Sequence, residues 1–250
     1  MNTTSNPTLR NRTRPRVMPD SSSPEPPRLV ATDLDGTVIK ESVAVLLAEE
    51  LNRRGIFKEF DIWRRNQELF SAEGEDLNAA VRLQSNQYAR GVQGLATSDV
   101  EEAALSLVPK VHFTRGFERV HDYLQSEGAR TVLVTSSPYQ ALPAILSRFH
   151  FDVVLAFCLN TESGRFTGAH GTPMTSAVKR QLLSDLVSGR EAHRSWGIGD
   201  RPEDLEAFSA LGYRILLGNR SLTRTDSPPV YRVTDFDGVL ALLQRGSLPA

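Results

Sequence analysis

Residues 28–37 read RLVATDLDGT: a short apolar run, then two aspartates separated by one leucine, then a glycine. An apolar run of this length is typical of a parallel strand that is buried on both faces. Gly36 allows a sharp turn after the strand, and Thr37 is placed to support that turn. We therefore expect Asp33 and Asp35 at the carboxyl end of the first strand, where ligands bind in an open parallel sheet.

The rest of the chain predicts an α/β fold, with a Rossmann-like parallel sheet as its core. After the first strand only helical patterns appear, such as the amphipathic segment VAVLLAEELNRR at residues 43–54. Strands and helices then alternate. We expect a helical cap over residues 41–112, inserted after the first strand into an α/β core domain of residues 28–40 and 113–250.

Two local patterns give sharper predictions. LNTESGRFTG at residues 159–168 predicts a hairpin that turns at Ser163–Gly164. YQALPAILSRF at residues 139–149 predicts a single helix.

The first 27 residues differ in composition from the rest of the chain. They hold six of the fourteen prolines and many Ser, Thr and Asn residues, which predicts a disordered tail over residues 1–27. Several arginines precede the first acidic residue, Asp20, and this is also typical of an organelle transit segment. The tail lacks the amphipathic apolar face of such a segment, so the disordered tail is the preferred interpretation.

Bulk composition excludes several classes of protein. The formal net charge of −1 gives no reason to expect nucleic acid or an anionic membrane as a partner. No apolar run approaches the ~20 residues that a membrane span requires. Cys158 is the only cysteine, so no intramolecular disulfide can form. We expect a cytoplasmic protein, and the sequence gives no basis for predicting its oligomeric state.

Polar side chains follow two further predicted strands. Thr135 and Ser136 come directly after TVLV, and Asp200 comes directly after SWGIG. Asp204 lies one helical turn beyond Asp200, and Lys179 lies on the helix between these two strands. The carboxyl ends of parallel strands meet at one edge of the sheet, so these groups are expected to face Asp33.

This set of side chains suits phosphoryl chemistry. Asp33, Asp200 and a backbone carbonyl near Asp35 offer hard oxygen ligands for Mg²⁺. Thr135 and neighbouring amides can donate to phosphate oxygens, and Lys179 can neutralise both a phosphate and a nucleophilic carboxylate. A carboxylate held in this way can attack phosphorus. The second carboxylate can protonate the leaving oxygen and later activate water.

The motifs, in the order DLDGT, a strand ending in Thr and Ser, a lysine and GDRPED, resemble the haloacid dehalogenase superfamily. The helical insert resembles its small-cap, phosphoserine-phosphatase-like branch, and the resemblance covers about residues 28–245. It implies these roles: Asp33 as nucleophile, Asp35 as general acid and base, Thr135 as phosphate donor, Lys179 as charge stabiliser, Asp200 as metal ligand and Asp204 as a partner of Lys179 or of metal-bound water. The implied function is a Mg²⁺-dependent phosphatase acting on a small phosphorylated metabolite.

The cap gives weaker guidance about the substrate. Relatives that act on phosphoserine carry a glutamate shortly after the first motif and an arginine in the cap. Here Glu41 lies one position short of that place, and Tyr88 occupies the position of the arginine, with Arg90 nearby. Glu41 and Arg90 are the candidate substrate-binding residues of the cap, but these departures argue against phosphoserine.

Two alternatives to a phosphatase remain open. A phosphotransferase or phosphomutase of the same fold would pass the phosphoryl group to a sugar hydroxyl instead of water. A non-catalytic phosphate-binding module is disfavoured because every motif residue is present.

The second copy of the opening motif, TDFDGV at residues 234–239, is interpreted differently from the first. Only eleven residues follow it, so no later strand can supply a threonine, a lysine and an acid. We expect Asp235 to cap a terminal helix.

Overall fold

The computed structural model describes residues 26–70, 76–187, 192–218 and 230–245. Within these residues the chain forms a six-stranded sheet with helices, and a separate two-stranded hairpin. All pairings in the larger sheet are parallel, which confirms the predicted α/β class with a Rossmann-like core. Residues 1–25 of the predicted tail lie outside the described part of the chain.

The strands are β1 Leu29–Asp33, β2 Arg130–Pro138, β3 Val153–Phe157, β4 Leu159–Glu162, β5 Arg165–His170, β6 Ser195–Gly199, β7 Tyr213–Leu217 and β8 Val230–Val233. The helices of the described residues are α1 Val43–Arg53, α2 Phe60–Phe70, α3 Leu77–Gly91, α4 Thr97–Leu105, α5 Phe117–Ser126, α6 Pro143–Leu146, α7 Ser176–Leu186, α8 Pro202–Ala207 and α9 Phe236–Arg245. None of these helices is both long enough and apolar enough to cross a membrane.

Strand β1 lies near the centre of the sheet, whose spatial order is β3-β2-β1-β6-β7-β8. Leu29 pairs with Arg130 of β2 on one side and with Ser195 of β6 on the other. Every residue of β1 is buried, as its short apolar run predicts. The carboxyl end of β1 is therefore flanked by the carboxyl ends of β2 and β6. Asp33 thus lies at the same edge of the sheet as Thr135 near the end of β2 and Asp200 after β6.

The chain leaves the sheet before α1 and returns to it after α4, and the two connecting segments run side by side. The backbone N–H of Lys40 donates to the carbonyl of His112 at 3.1 Å, and the N–H of Thr114 donates to Val38 at 2.8 Å. Both crossings fall at the ends of the predicted cap, residues 41–112. The division into a core and a cap remains our proposal, and it is supported by this paired connection.

The hairpin of β4 and β5 turns where the sequence predicts. Ser163 and Gly164 both have positive φ, at 48° and 75°, as a two-residue type I′ turn requires. The hairpin also joins the cap. The N–H of Gly94 donates to Phe166 at 2.8 Å, and the N–H of Thr97 donates to Gly164 at 2.9 Å. Strands β4 and β5, which lie between β3 and β6 in sequence, thus contact the segment after α3 and the start of α4.

The prediction of a single helix over residues 139–149 is wrong. The chain forms a short 3-10 turn at Tyr139–Ala141 and then the four-residue helix α6. Pro143 explains the break, because proline has no N–H to donate and its ring collides with the carbonyl of the preceding turn. It is tolerated where it stands because it begins α6.

Candidate active site

The loop after β1 is tightly closed around a buried leucine. The N–H of Gly36 donates to Ile39 at 2.8 Å, and the N–H groups of Thr37 and Ile39 donate to Leu34 at 3.2 and 3.1 Å. Leu34 is fully buried. Burying the residue between the two aspartates fixes Asp33 and Asp35 beside each other at the edge of the sheet.

Asp33 forms a buried ion pair with Lys179. The Nζ atom of Lys179 donates to Oδ1 of Asp33 at 3.0 Å and lies 3.8 Å from Oδ1 of Asp204. Lys179 lies on α7, whose first turn is capped by the hydroxyl of Thr175. Burial lowers the pKa of Lys179, but the nearby carboxylates, Asp33 foremost, outweigh burial and raise it. The lysine is therefore a permanent positive charge beside Asp33.

Thr37 joins the two carboxylates that come from neighbouring strands. Its hydroxyl lies 3.5 Å from Oδ2 of Asp33 and 3.2 Å from Oδ1 of Asp200. The sequence suggested only that Thr37 supports the turn. The contact of Thr37 with Asp200 forms because β1 and β6 are adjacent in the sheet, although Asp33 and Asp200 are far apart in sequence.

Three carboxylates of the site are close enough to share a cation. Oxygen atoms of Asp33, Asp200 and Asp204 lie within 4.8 Å of one another, and all three residues are buried. Burial raises the pKa of Asp204, and the neighbouring Asp33 and Asp200 raise it further. The positive charge of Lys179 thus does not fully offset the negative charge of the three carboxylates. Buried, all-oxygen donors with surplus negative charge fit a hard divalent cation such as Mg²⁺.

Asp35 is held by three donors. Its Oδ1 accepts from the backbone N–H of Val43 at 2.7 Å, and its Oδ2 accepts from Ser137 at 2.7 Å and Thr135 at 3.2 Å. Burial and the charge of Asp33 raise its pKa to about 6, although the three hydrogen bonds oppose this shift. A carboxyl group with such a pKa can both give and accept a proton near neutral pH.

The two serines near the carboxyl end of β2 have different partners. Ser136 donates to the backbone carbonyl of Met174 at 2.8 Å, whereas Ser137 donates to Asp35. Ser136 is the serine predicted from the sequence to bind the substrate, and the contact of Ser137 with Asp35 was not predicted. The signal was available, because alternate residues of a strand share a face and Thr135 lies two positions before Ser137.

The two cap candidates, Glu41 and Arg90, make no hydrogen bond to Asp33 or Asp35 within the described residues. Both carboxylate oxygens of Glu41 are bound by His112, through its ring at 2.5 Å and its backbone N–H at 3.1 Å. Arg90 is exposed on the last turn of α3. A substrate-binding role for either residue remains a prediction, and these contacts give it no support.

The second hexapeptide has a structural role in the described part of the chain. Oδ1 of Asp235 accepts from the backbone N–H groups of Asp237 and Gly238, both at 3.1 Å, and so caps α9. Asp237 forms an ion pair with Arg119 of α5. This motif follows β8 at the edge of the sheet, with two strands between it and β1.

Comparison with known proteins gives a family and relatives for this chain. Residues 30–209 match the family model described as haloacid dehalogenase-like hydrolase. A phosphoserine phosphatase from Streptococcus thermophilus is 27% identical over 214 residues, which cover 84% of this chain and 91% of the relative.

Solved structures share the fold at low sequence identity. A HAD-family hydrolase from Salmonella enterica serovar Typhi superposes with a TM-score of 0.64 at 16% identity, covering 86% of this chain and 71% of that one. A substrate-bound phosphoserine phosphatase superposes with a TM-score of 0.63 at 16% identity, covering 86% and 97%. At this level of identity the superpositions establish the fold.

Proposed function

Because this chain belongs to the haloacid dehalogenase-like hydrolase family, we propose that it is a Mg²⁺-dependent phosphatase that hydrolyses a small phosphorylated metabolite through an aspartyl-phosphate intermediate. The family match and the phosphoserine phosphatase relative confirm the predicted enzyme class, a phosphoric monoester hydrolase. The observation that carries the proposed mechanism is the buried contact of 3.0 Å between Lys179 and Asp33, with Asp35 held two residues away.

In the first step a carboxylate oxygen of Asp33 attacks phosphorus and the bond from phosphorus to the leaving oxygen breaks. Lys179 donates to Oδ1 of Asp33 and so holds this carboxylate in place beside a positive charge. Asp35 gives its proton to the leaving oxygen, and its raised pKa supports this role. In the second step Asp35, now ionised, takes a proton from water, and the water oxygen attacks phosphorus. Phosphate is released and the carboxylate of Asp33 is restored.

Asp33 and Asp200, with Asp204 beside them, would hold the Mg²⁺ ion. When bound, the ion supplies positive charge that offsets the charge of the phosphoryl oxygens. The chain's own hydrogen bonds hold the carboxylates that would bind the ion close together. Thr37 joins Asp33 to Asp200, and Oδ2 of Asp204 accepts from the backbone N–H of Arg201 at 3.1 Å.

Removal of divalent cations is expected to abolish turnover, and addition of Mg²⁺ is expected to restore it. Mg²⁺ should also raise the melting temperature, because a ligand that binds only the folded state stabilises it by about 2.7 kcal/mol at 100 times its Kd. Asp200→Asn should reduce this thermal shift. Turnover that survives complete chelation would contradict the metal assignment.

Release of inorganic phosphate from a panel of phosphorylated metabolites tests the activity itself. A phosphatase releases phosphate into water, whereas a phosphotransferase or phosphomutase needs an acceptor hydroxyl and shows transfer to it. A non-catalytic binding module releases nothing from any ester. Phosphate release without an acceptor therefore separates the proposal from both alternatives.

Gly36→Ala is expected to damage both stability and turnover. Gly36 has φ of +85°, and a Cβ there would lie 2.8 Å from Oδ2 of Asp200. Gly55→Ala is a matched control, because Gly55 has φ of +74° but no atom lies within 4 Å of a Cβ there. Both variants should lose about 1–2 kcal/mol of unfolding free energy from the left-handed backbone. Only Gly36→Ala should lower turnover, by at least about tenfold. Equal turnover in the two variants would show that Asp200 tolerates displacement.

A further inference from the structure

Two hydroxyl groups of β2 converge on one oxygen atom of Asp35. The hydroxyl of Ser137 donates to Oδ2 at 2.7 Å, the length of a strong hydrogen bond to a charged acceptor. The hydroxyl of Thr135 donates to the same atom at 3.2 Å, beyond the about 2.5–3.0 Å that is usual between two oxygen atoms. Both side chains are buried. The two contacts are therefore unequal, and Ser137 makes the stronger one.

An irregularity in β2 accompanies this arrangement. The register of β2 against β3 shifts between Val134 and Pro138, where β2 advances four residues and β3 advances two. The extra residues fall at positions 135–137, and the N–H of Ser137 donates to the hydroxyl oxygen of Thr135 at 3.0 Å. Irregularities of this kind re-aim side chains beside active sites. Here they occur where two hydroxyls point at the same carboxyl group.

Thr135 cannot donate to Asp35 and to a bound phosphate at the same time. A hydroxyl has one proton to donate. The oxygen of this hydroxyl already accepts from the N–H of Ser137, so only its single proton remains for an acidic partner. Thr135 is the predicted phosphate donor, and donation to a phosphate oxygen breaks its contact with Asp35. Asp35 then keeps two donors, the N–H of Val43 on Oδ1 and the hydroxyl of Ser137 on Oδ2.

We propose that Ser137 is a positioning residue for the general acid and base, which holds Oδ2 of Asp35 in place while Thr135 binds the phosphate. The proposal rests on the proposed function and adds the residue that keeps Asp35 aimed at the leaving oxygen. Oδ2 has two acceptor positions, and Thr135 and Ser137 occupy them in the free protein. Departure of Thr135 opens one position on the side of the phosphate, and Ser137 keeps the other. Ser137 acts through Asp35 and does not itself bind the substrate.

The first test compares two leaving groups in Ser137→Ala. The esters are p-nitrophenyl phosphate and the alkyl phosphate of the metabolite panel that the unchanged chain hydrolyses fastest. An alkyl leaving oxygen needs the proton of Asp35, whereas p-nitrophenolate departs without one. Ser137→Ala should lower kcat/KM for the alkyl ester about tenfold, the size of one hydrogen bond, and for p-nitrophenyl phosphate by less than about threefold.

Two further variants at this position test whether the hydroxyl is what matters. Ser137→Thr keeps a hydroxyl and should retain most of the activity toward the alkyl ester. Ser137→Cys keeps nearly the same shape but offers a weak donor, so it should act in the same direction as Ser137→Ala. Asp35 retains Val43 and Thr135 as donors in the free form of these variants, so they should fold, as their melting temperatures will show.

Ser195→Ala is a matched control. Ser195 is also buried in a strand, and its hydroxyl donates to the carbonyl of Ala192 at 2.5 Å. It begins β6, at the opposite end of the sheet from Asp200. Both alanine variants remove one buried, hydrogen-bonded hydroxyl. Only Ser137→Ala should change the ratio of kcat/KM between the two esters.

Inhibition by inorganic phosphate separates the role of Ser137 from that of Thr135. Ser137→Ala should leave the inhibition constant of phosphate within about twofold, because its partner is Asp35. Thr135→Val should raise this constant about tenfold, since it removes the proposed donor to phosphate. If Ser137→Ala raised the constant as far as Thr135→Val, Ser137 would be a phosphate ligand and the inference would be wrong.

The outcomes also separate this inference from the proposed function. Equal changes in kcat/KM for the two esters in Ser137→Ala, or the same change of ratio in Ser195→Ala, would overturn the positioning role while the phosphatase stands. Absence of phosphate release by the unchanged chain from every ester would instead refute the proposed function.

Discussion

Asp33→Asn is expected to lower turnover by about 10⁴-fold or more, the largest effect of any single substitution considered for this chain. A neutral amide is a poor nucleophile toward phosphorus and a weaker ligand for a hard cation. The variant should remain folded, because Lys179 keeps Asp204 as a partner at 3.8 Å. Turnover and the melting temperature are both measured.

The second hexapeptide supplies the matched control. Asp235→Asn makes the same chemical change in nearly the same local sequence, but Asp235 caps α9. Asparagine caps helices about as well as aspartate, so both stability and turnover should be nearly unchanged. If Asp235→Asn were folded and as inactive as Asp33→Asn, the placement of the active site would be wrong.

Asp35→Asn is expected to lower turnover by about 10²–10⁴-fold for an ester with a poor leaving group. The amide oxygen can still accept from the N–H of Val43, so the start of α1 keeps its partner. Thr135 and Ser137 can rotate their hydroxyls to accept from the amide. The variant thus loses the transferable proton and little of the local structure.

The leaving group decides which step this variant slows. An aryl phosphate with a low leaving-group pKa needs little protonation, so Asp33 can still be phosphorylated. Hydrolysis then lacks its base, and a phosphoenzyme should accumulate. It is detected as phosphate on the protein that is stable to acid and released by hydroxylamine. Equal losses for good and poor leaving groups, without phosphoenzyme, would contradict the assigned role of Asp35.

The grouping of these side chains at one edge of the sheet could be predicted from the sequence because they lie at or close to the carboxyl ends of strands. Once β1, β2 and β6 are parallel neighbours, Asp33, Thr135 and Asp200 must meet, and the structure places them at one edge. Lys179 could be predicted from its position on α7, the helix that precedes β6. These inferences require only local pattern and the geometry of parallel sheets.

Contacts between residues far apart in the chain were harder to predict from the sequence. The second bond of Thr37, to Asp200, depends on which strands are adjacent, and the pairing of Glu41 with His112 depends on how the cap rejoins the core. The polar atoms of Trp63 and Tyr88 that lack a hydrogen-bond partner within the described residues are likewise visible only in three dimensions.

The central position of β1 has a consequence for synthesis on the ribosome. Leu29 leaves the ribosome before its partners Arg130 and Ser195, which are translated about 100 and about 165 residues later. At about 5–20 residues per second, β1 waits roughly 8–33 seconds before both of its edges can pair. The helices α1–α4 emerge during this interval and can fold through local contacts. The nascent chain therefore carries Asp33, the proposed nucleophile, long before the site can assemble, because assembly requires synthesis through Asp200 and Asp204.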